Sequence, residues 1–309
     1  PTKPDPDIYD HQYSHCDVLV VGGGISGIIS ARLSAEKGLD TMLIDDKNFL
    51  GGSTIYQENE AYKINDIYSN EWLAKEIKSL KNYPNLIIKN RTSLAAFHGY
   101  NFLLARENLT DHLNKEEKKN KVRQRLLKIR AKNVIIATGS IERPLVFNNN
   151  DRPGIMLSSA VKKYADYYGV VCGKKTVFFT NNDSAYESAI SLNKKGLSVE
   201  AIIDIREKSD SELVKEVEKI GIQIYWSHTV VDARGYKRLK EIIIMPLSKD
   251  GMSVIEKKIN IKSDCLAITG GWTPAVHLFT QSGGKLKFRE EDQVFLPNEL
   301  QSKQISIGS

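Results

Sequence analysis

Sulfur is scarce: 309 residues hold three cysteines, Cys16, Cys172 and Cys265, far apart in the chain. That spacing excludes a disulfide framework and a cysteine-rich zinc site. A dithiol redox centre needs two neighbouring sulfurs, and no C-x-x-C pair occurs. Three reduced thiols in a cytoplasmic protein is the reading left. Long apolar runs are missing too, so no membrane span is expected. Residues 1–7 are polar and proline-rich, unlike a secretory leader, and residues 1–14 are expected to form a linker. The chain opens on Pro rather than Met and is expected to be a piece of a longer polypeptide.

Catalytic constellations are equally sparse. The six histidines, His11, His15, His98, His112, His228 and His277, show no metal-ligand spacing. No Ser–His–Asp, Cys–His or paired-carboxylate arrangement is readable, so no catalytic residue and no metal ligand is assigned. His277 follows the Gly270-Gly271-Trp272 turn and lies nearest the expected cofactor end. The net charge is +6, but much of the excess sits between Lys115 and Lys132 with no interleaved aromatics to stack bases. A solvated basic hairpin fits that stretch better than a nucleic-acid surface.

What is present is patterned. Residues 16–21 form a short β-branched run, expected to be a strand buried on both faces. A glycine turn leads into a predicted helix over 25–37, stopped by Gly38, and 41–45 reads as a second buried strand. Strand, helix and strand in about 30 residues make a βαβ unit with a parallel pair. A helix is expected over 71–83, strands over 85–89 and 122–129, a small antiparallel meander between 94 and 129, and a strand over 131–139. A Pro-, Asn- and Asp-rich stretch at 142–153 marks a boundary. The pattern then restarts as strand 174–179, helix 185–195 and strand 199–204. A helix over 211–221, a strand over 222–226, a hairpin over 240–261, and strands over 265–269 and 304–307 follow. The economical reading is an α/β protein with two Rossmann-like dinucleotide-binding domains, the second inserted into the first. The first takes 15–147 and 265–309, the second 148–264.

Gly22-x-Gly24-x-x-Gly27 follows a strand and opens a helix, the context that gives this spacing meaning. The first glycine permits a tight turn. The second lets backbone approach a pyrophosphate. The third lets helix and strand pack closely. The loop Gly22-Gly23-Gly24-Ile25-Ser26-Gly27 therefore offers helix N–H groups to phosphate. Asp45, 18 residues beyond Gly27, ends the next strand, where a carboxylate accepts from a ribose diol and repels a 2′-phosphate. Asp46 and the Gly51-Gly52-Ser53 turn are candidates for the same channel, as are Thr138 and Gly139 at the end of a strand facing the switch point. The second unit carries Thr180-Asn181-Asn182-Asp183-Ser184-Ala185 instead. Thr180 and Asn182 replace the first two glycines, Ala185 fits the third, and Asp204 keeps the ribose position. Side chains there would fill the pyrophosphate space, so a second dinucleotide is expected to bind poorly or not at all.

Beyond these general signals the chain resembles the α subunit of heterotetrameric sarcosine oxidase. The likeness is carried by the opening Cys16-Asp17-Val18-Leu19-Val20-Val21-Gly22-Gly23-Gly24 and by Ala137-Thr138-Gly139-Ser140-Ile141-Glu142-Arg143-Pro144. It continues in Asn150-Asp151-Arg152-Pro153-Gly154-Ile155-Met156, Phe179-Thr180-Asn181-Asn182-Asp183-Ser184-Ala185-Tyr186 and Gly270-Gly271-Trp272-Thr273-Pro274-Ala275. The resemblance covers nearly the whole chain from Cys16 onward. It implies a multi-subunit flavoprotein that oxidises N-methylglycine with oxygen and tetrahydrofolate. This chain would be the central dinucleotide-binding portion of the α subunit, between a ferredoxin-like and a folate-binding domain, with β, γ and δ subunits as partners. The family implies FAD on the β subunit, a covalent FMN at the α–β boundary, and a tightly held NAD on α that does not turn over. Carried onto this chain, NAD falls at Gly22, Gly24, Gly27 and Asp45. FAD at the same loop is the alternative, as in related opine- and proline-type subunits or in a stand-alone FAD/NAD(P)-dependent reductase. The isolated chain is expected to be inactive.

Overall fold

A computed structural model describes residues 5–57, 62–299 and 303–308. The chain divides into two compact units, one of residues 1–140 and 274–309, the other of 141–273.

In the first unit, β1 (Ile8–Val21) runs into α1 (Ile25–Glu36) and β2 (Thr41–Ile44). The strands pair in parallel, Val18 with Thr41 through Val21 with Ile44. All four residues of β2 are buried, as an apolar strand covered on both faces must be. α2 (Ser69–Ser79) leads to β3 (Leu86–Lys89), which pairs with β2. β4 (Thr92–His98), β5 (Phe102–Asn108) and the start of β6 (Val122–Ile136) form the expected antiparallel meander. A short helix, Lys115–Lys118, makes its lysine-rich turn and is closed by a capping box between Asn114 and Glu117. The sheet order is β3-β2-β1-β6-β5-β4, and the strand Gln304–Ser306 pairs with the end of β6. Leu19, Val21, Met42, Ile44, Leu127 and Ile129 form the core on one face, and Val18, Val20, Ile28, Leu43 and Trp72 that on the other.

In the second unit, β7 (Ile155–Leu157) enters α3 (Ser158–Asp166), then β8 (Thr176–Thr180), α4 (Ser184–Lys194), β9 (Val199–Asp204), α5 (Glu212–Ile220) and β10 (Gln223–Trp226). An antiparallel sheet of β11 (His228–Arg234), β12 (Glu241–Pro246) and β13 (Ile259–Lys262) precedes β14 (Cys265–Thr269). The main sheet runs β7-β14-β8-β9-β10, all parallel. α5 is fixed at both ends, by the Ser211 hydroxyl accepting from the Val214 N–H and by left-handed Gly221. No helix among the described residues is long and apolar enough to cross a membrane.

Two organisational expectations need correction. Residues 8–14, expected within a linker, continue β1 and pair with β6 from Tyr9–Gln124 to Ser14–Ile129. Ion pairs pin this polar segment: Arg125 grips Asp10 through two 2.9 Å hydrogen bonds, and Arg123 meets Asp7 and Asp111. Residues 265–269, expected in the first domain, form β14 at the heart of the second unit's sheet, Cys265 pairing with Thr176 and Leu266 with Ile155. A short strand that is apolar throughout carries no alternation to say which sheet it joins. The joins thus fall at 140/141 and 273/274 rather than 147/148 and 264/265.

Candidate nucleotide site

The glycine loop of the first unit is built around contacts that tolerate no side chain. Gly22 has φ +110°, and a Cβ there would run into the Ala137 carbonyl. A Cβ on Gly27 would collide with the Gly22 carbonyl oxygen, so the third glycine seats α1 directly on the end of β1. Gly24 differs. An added Cβ there would find only the Gly52 Cα, 3.9 Å away. The space in front of the second glycine is therefore open, bordered by backbone alone. Gly24 also caps α1 in an extended conformation, with no side chain bonded to the helix N-terminus. N–H groups and the positive end of the helix dipole face that space, and both favour an anion. Ile25 and Ser26 make the first helical turn, partly exposed.

The turn at Gly51-Gly52 closes on this loop. The Gly51 N–H donates to the Gly23 carbonyl at 2.7 Å, and the Gly52 backbone lies against Gly24. Gly51 and Gly52 have φ of +128° and +58°, which glycine adopts without strain. Ser53 opens the following turn and is exposed. Asp45 is buried at the end of β2. Its carboxylate accepts from the Gly23 N–H at 2.5 Å and from the Lys47 N–H at 2.8 Å. It braces the glycine loop from below. Asp46 points away, exposed and paired with the Lys47 ammonium at 2.7 Å. The structure thus gathers Gly22, Gly24, Ile25, Ser26, Gly27, Asp45, Gly51 and Gly52 into one cradle, with Ser53 at its edge and Asp46 outside.

Thr138 and Gly139 line a separate hollow of about 120 Å³ in the same unit, with Ala275, Val276, Ile307 and Gly308. The Thr138 hydroxyl donates to the Ala275 carbonyl at 3.0 Å. Gly308 lies against Ser26, where a Cβ would come within 2.8 Å of Oγ, so this hollow adjoins the helix start. Sequence reading missed residues 274–276 as neighbours of the loop. His277 is exposed at the start of the helix His277–Gln281, outside the hollow's lining.

The equivalent loop of the second unit is occupied by its own side chains. The Asn182 carboxamide oxygen accepts from the Ser184 N–H at 3.0 Å and the Ser184 hydroxyl at 2.5 Å, at the start of α4. The Thr180 hydroxyl, fully buried, donates to the Asn182 carbonyl at 2.8 Å. Asp204 is also fully buried. It accepts from the Tyr186 hydroxyl at 2.8 Å and is gripped by Arg206, which reaches Asp183 as well. Burial, then the charge of Asp204, pushes the Tyr186 phenol above its usual range. Burial also drives the thiols of Cys16 and Cys265 up to about 12, so both are inert as nucleophiles.

The fold and loop geometry define a class. Residues 19–306 match the profile of the pyridine nucleotide-disulphide oxidoreductase family, and the chain belongs to that family. Within it, the chain is similar over 99% of its length to sarcosine oxidase subunit alpha of Corynebacterium sp. (strain P-1), at 34% identity over 307 residues. It spans 31% of that relative's length. Among solved structures, L-proline dehydrogenase from P. horikoshii matches 96% of this chain and 51% of its own, with TM-score 0.65 and 21% identity. Thioredoxin reductase of T. acidophilum matches 89% of this chain and 83% of its own, with TM-score 0.64 and 21% identity. Those two likenesses speak for the fold alone.

Proposed function

We propose that the first unit holds one adenine dinucleotide, NAD, with its pyrophosphate against Gly22, Gly24, Ile25, Ser26 and Gly27. In this reading Gly51, Gly52 and Ser53 line the phosphate channel and Asp45 the ribose end, while Asp46, paired with Lys47, stays outside. Thr138 and Gly139 border the rest of the nucleotide. The observation that carries it is the contrast between two like helix starts. α1 has an open, side-chain-free cradle at Gly24, while at the start of α4 the Asn182 carboxamide takes the Ser184 N–H and the ribose acid is tied to Arg206 and Tyr186. The residues present fit a bound pyrophosphate at the first loop and leave no room for one at the second. When bound, NAD supplies a hydride-accepting nicotinamide. In this reading the chain's own residues bind and orient it without turnover.

In this reading the chain is part of the α subunit of a multi-subunit sarcosine oxidase, located in the cytoplasm. It is a scaffold whose NAD does not turn over, with FAD and covalent FMN belonging to, or shared with, a β subunit, and γ and δ completing a heterotetramer. The support is the 34% and 30% identity to sarcosine oxidase α subunits of Corynebacterium sp. (strain P-1) and Rhizobium meliloti over 99% of this chain. A stand-alone reductase would need a second open loop, and the second loop is filled. The test is to denature the purified protein and identify the released ligand by absorbance and mass. NAD without a flavin band is the expected result, together with no sarcosine turnover by the chain alone. Released FAD would move the flavin onto this chain, as in a proline- or opine-type subunit, and turnover without partners would overturn the scaffold reading.

A further inference from the structure

At the opposite end of the second unit's sheet from the filled loop, beside the entries of β8 and β14, lies a cavity of about 290 Å³. Four cations line it: Lys175, Arg238, Lys240 and Lys262. Among the described residues none of the four has an ion pair or a side-chain hydrogen bond, although the chain forms ion pairs widely elsewhere. The one carboxylate in the lining, Asp264, is turned into backbone. Its oxygens accept from the N–H groups of Lys174 and Lys175 at 3.1 and 2.8 Å. Four positive charges around one concavity repel each other, and a bound anion would relieve that repulsion.

The walls are built before any ligand arrives. Leu239 is fully buried between Arg238 and Lys240, and its N–H donates to the Pro153 carbonyl at 2.8 Å. The loop before it is tethered by Arg152, whose guanidinium donates to the carbonyls of Ala233, Gly235 and Tyr236. Gly235 sits at φ +150°, where a Cβ would strike the Arg238 carbonyl, so this turn requires glycine. On the other wall Ser263 is 2% exposed, and its hydroxyl bonds the carbonyls of Lys175 and Cys265 at 3.0 and 2.9 Å. Tyr236, beside this wall in sequence, is 88% exposed and offers a free ring.

We propose that this cavity is a binding site for a small phosphate-bearing anion, held by Lys175, Arg238, Lys240 and Lys262. The four cationic side chains are exposed, but the backbone that carries them is fixed on both walls. The size suits one or two phosphoryl groups rather than a macromolecule. The site stands independently of the dinucleotide reading of the first unit.

The test is amide-resolved NMR titration of the 309-residue chain with inorganic pyrophosphate and, separately, with ADP. Saturable shifts at Leu239, Lys240, Ser263 and Asp264 are expected, reported apart from any shift at Gly24 and Ser26. The double variant Lys240→Gln/Lys262→Gln should weaken binding about tenfold or more, since each lost charged partner removes a strong hydrogen bond. A control with two distant surface lysines changed, Lys119→Gln/Lys121→Gln, should bind as the parent does. ADP binding more tightly than pyrophosphate, with the difference lost in Tyr236→Ala, assigns a nucleotide. Equal affinities assign the bare phosphate group. No saturable shift in the second unit, or equal weakening by the control, overturns the proposal, and a response only to an acidic polypeptide does the same.

Discussion

At the residue scale, the two glycines of the loop make opposite demands, and substitution separates them. Gly27→Ala forces a methyl into the Gly22 carbonyl, so it should destabilise the first unit by about 1–3 kcal/mol, as overpacking does. Gly24→Ala meets only open space at φ −74°, so ligand-free stability should stay within about 1 kcal/mol of the parent. Its cost should fall on the ligand, with dinucleotide content dropping about tenfold or more as the methyl displaces phosphate. Thermal unfolding beside ligand content measures both, and a Gly24→Ala protein that keeps its ligand would sink the cradle assignment. These roles were legible because the glycines and Asp45 lie within one βαβ unit, where spacing fixes geometry. Ala275 was not, because it approaches Thr138 from more than a hundred residues away.

At the scale of elements, sequence patterns worked where caps and periodicity are local. The glycine stops after α1 and α4, and the buried runs of β2, β8 and β9, were all readable. α3 was not: its first residue follows Leu157, which provides no side-chain cap, and the helix is only nine residues long. The front half of β1 was hidden for another reason. Its burial pattern is mostly exposed, and ion pairs rather than an apolar face hold it to β6. Those pairs set its pH response. Asp10 is held below the ordinary carboxylate range by hydrogen bonding to Arg125. A lowered folded pKa gives stability that is present above the unfolded value, near about 4, and lost as pH falls through the folded one. Residues 8–14 should therefore lose hydrogen-exchange protection below about pH 4, after correction for intrinsic rates, while Val18–Val21 keep theirs. Equal loss along all of β1 would show that the ladder, not the ion pairs, holds the segment.

At the scale of the whole molecule, the second unit is one uninterrupted stretch, residues 141–273, and its ends meet. The Arg143 N–H donates to the Gly271 carbonyl at 2.8 Å, and the Gly270 N–H returns a 2.6 Å bond to the Arg143 carbonyl. It has its own core on each face of its sheet. Expressed alone, it should fold and melt in one cooperative transition, followed by circular dichroism. A broad, non-cooperative melt would show that the unit depends on the rest of the chain. The insertion itself was readable from the restart of the βαβ pattern, but its edges were not. β14 returns to complete the inserted sheet just before the chain leaves it, and no local signal marks that return.

In the filled loop of the second unit Thr180 and Asn182 bond each other and the start of α4, while Tyr186 and Arg206 satisfy the buried Asp204. Glycine at 182 would remove the carboxamide that holds Ser184 and still leave Thr180 buried in the loop. Removing Arg206 would strand a buried carboxylate. Each single step toward an open phosphate cradle lowers stability before it creates any binding. The loop works as an interlock: opening it takes several coordinated changes.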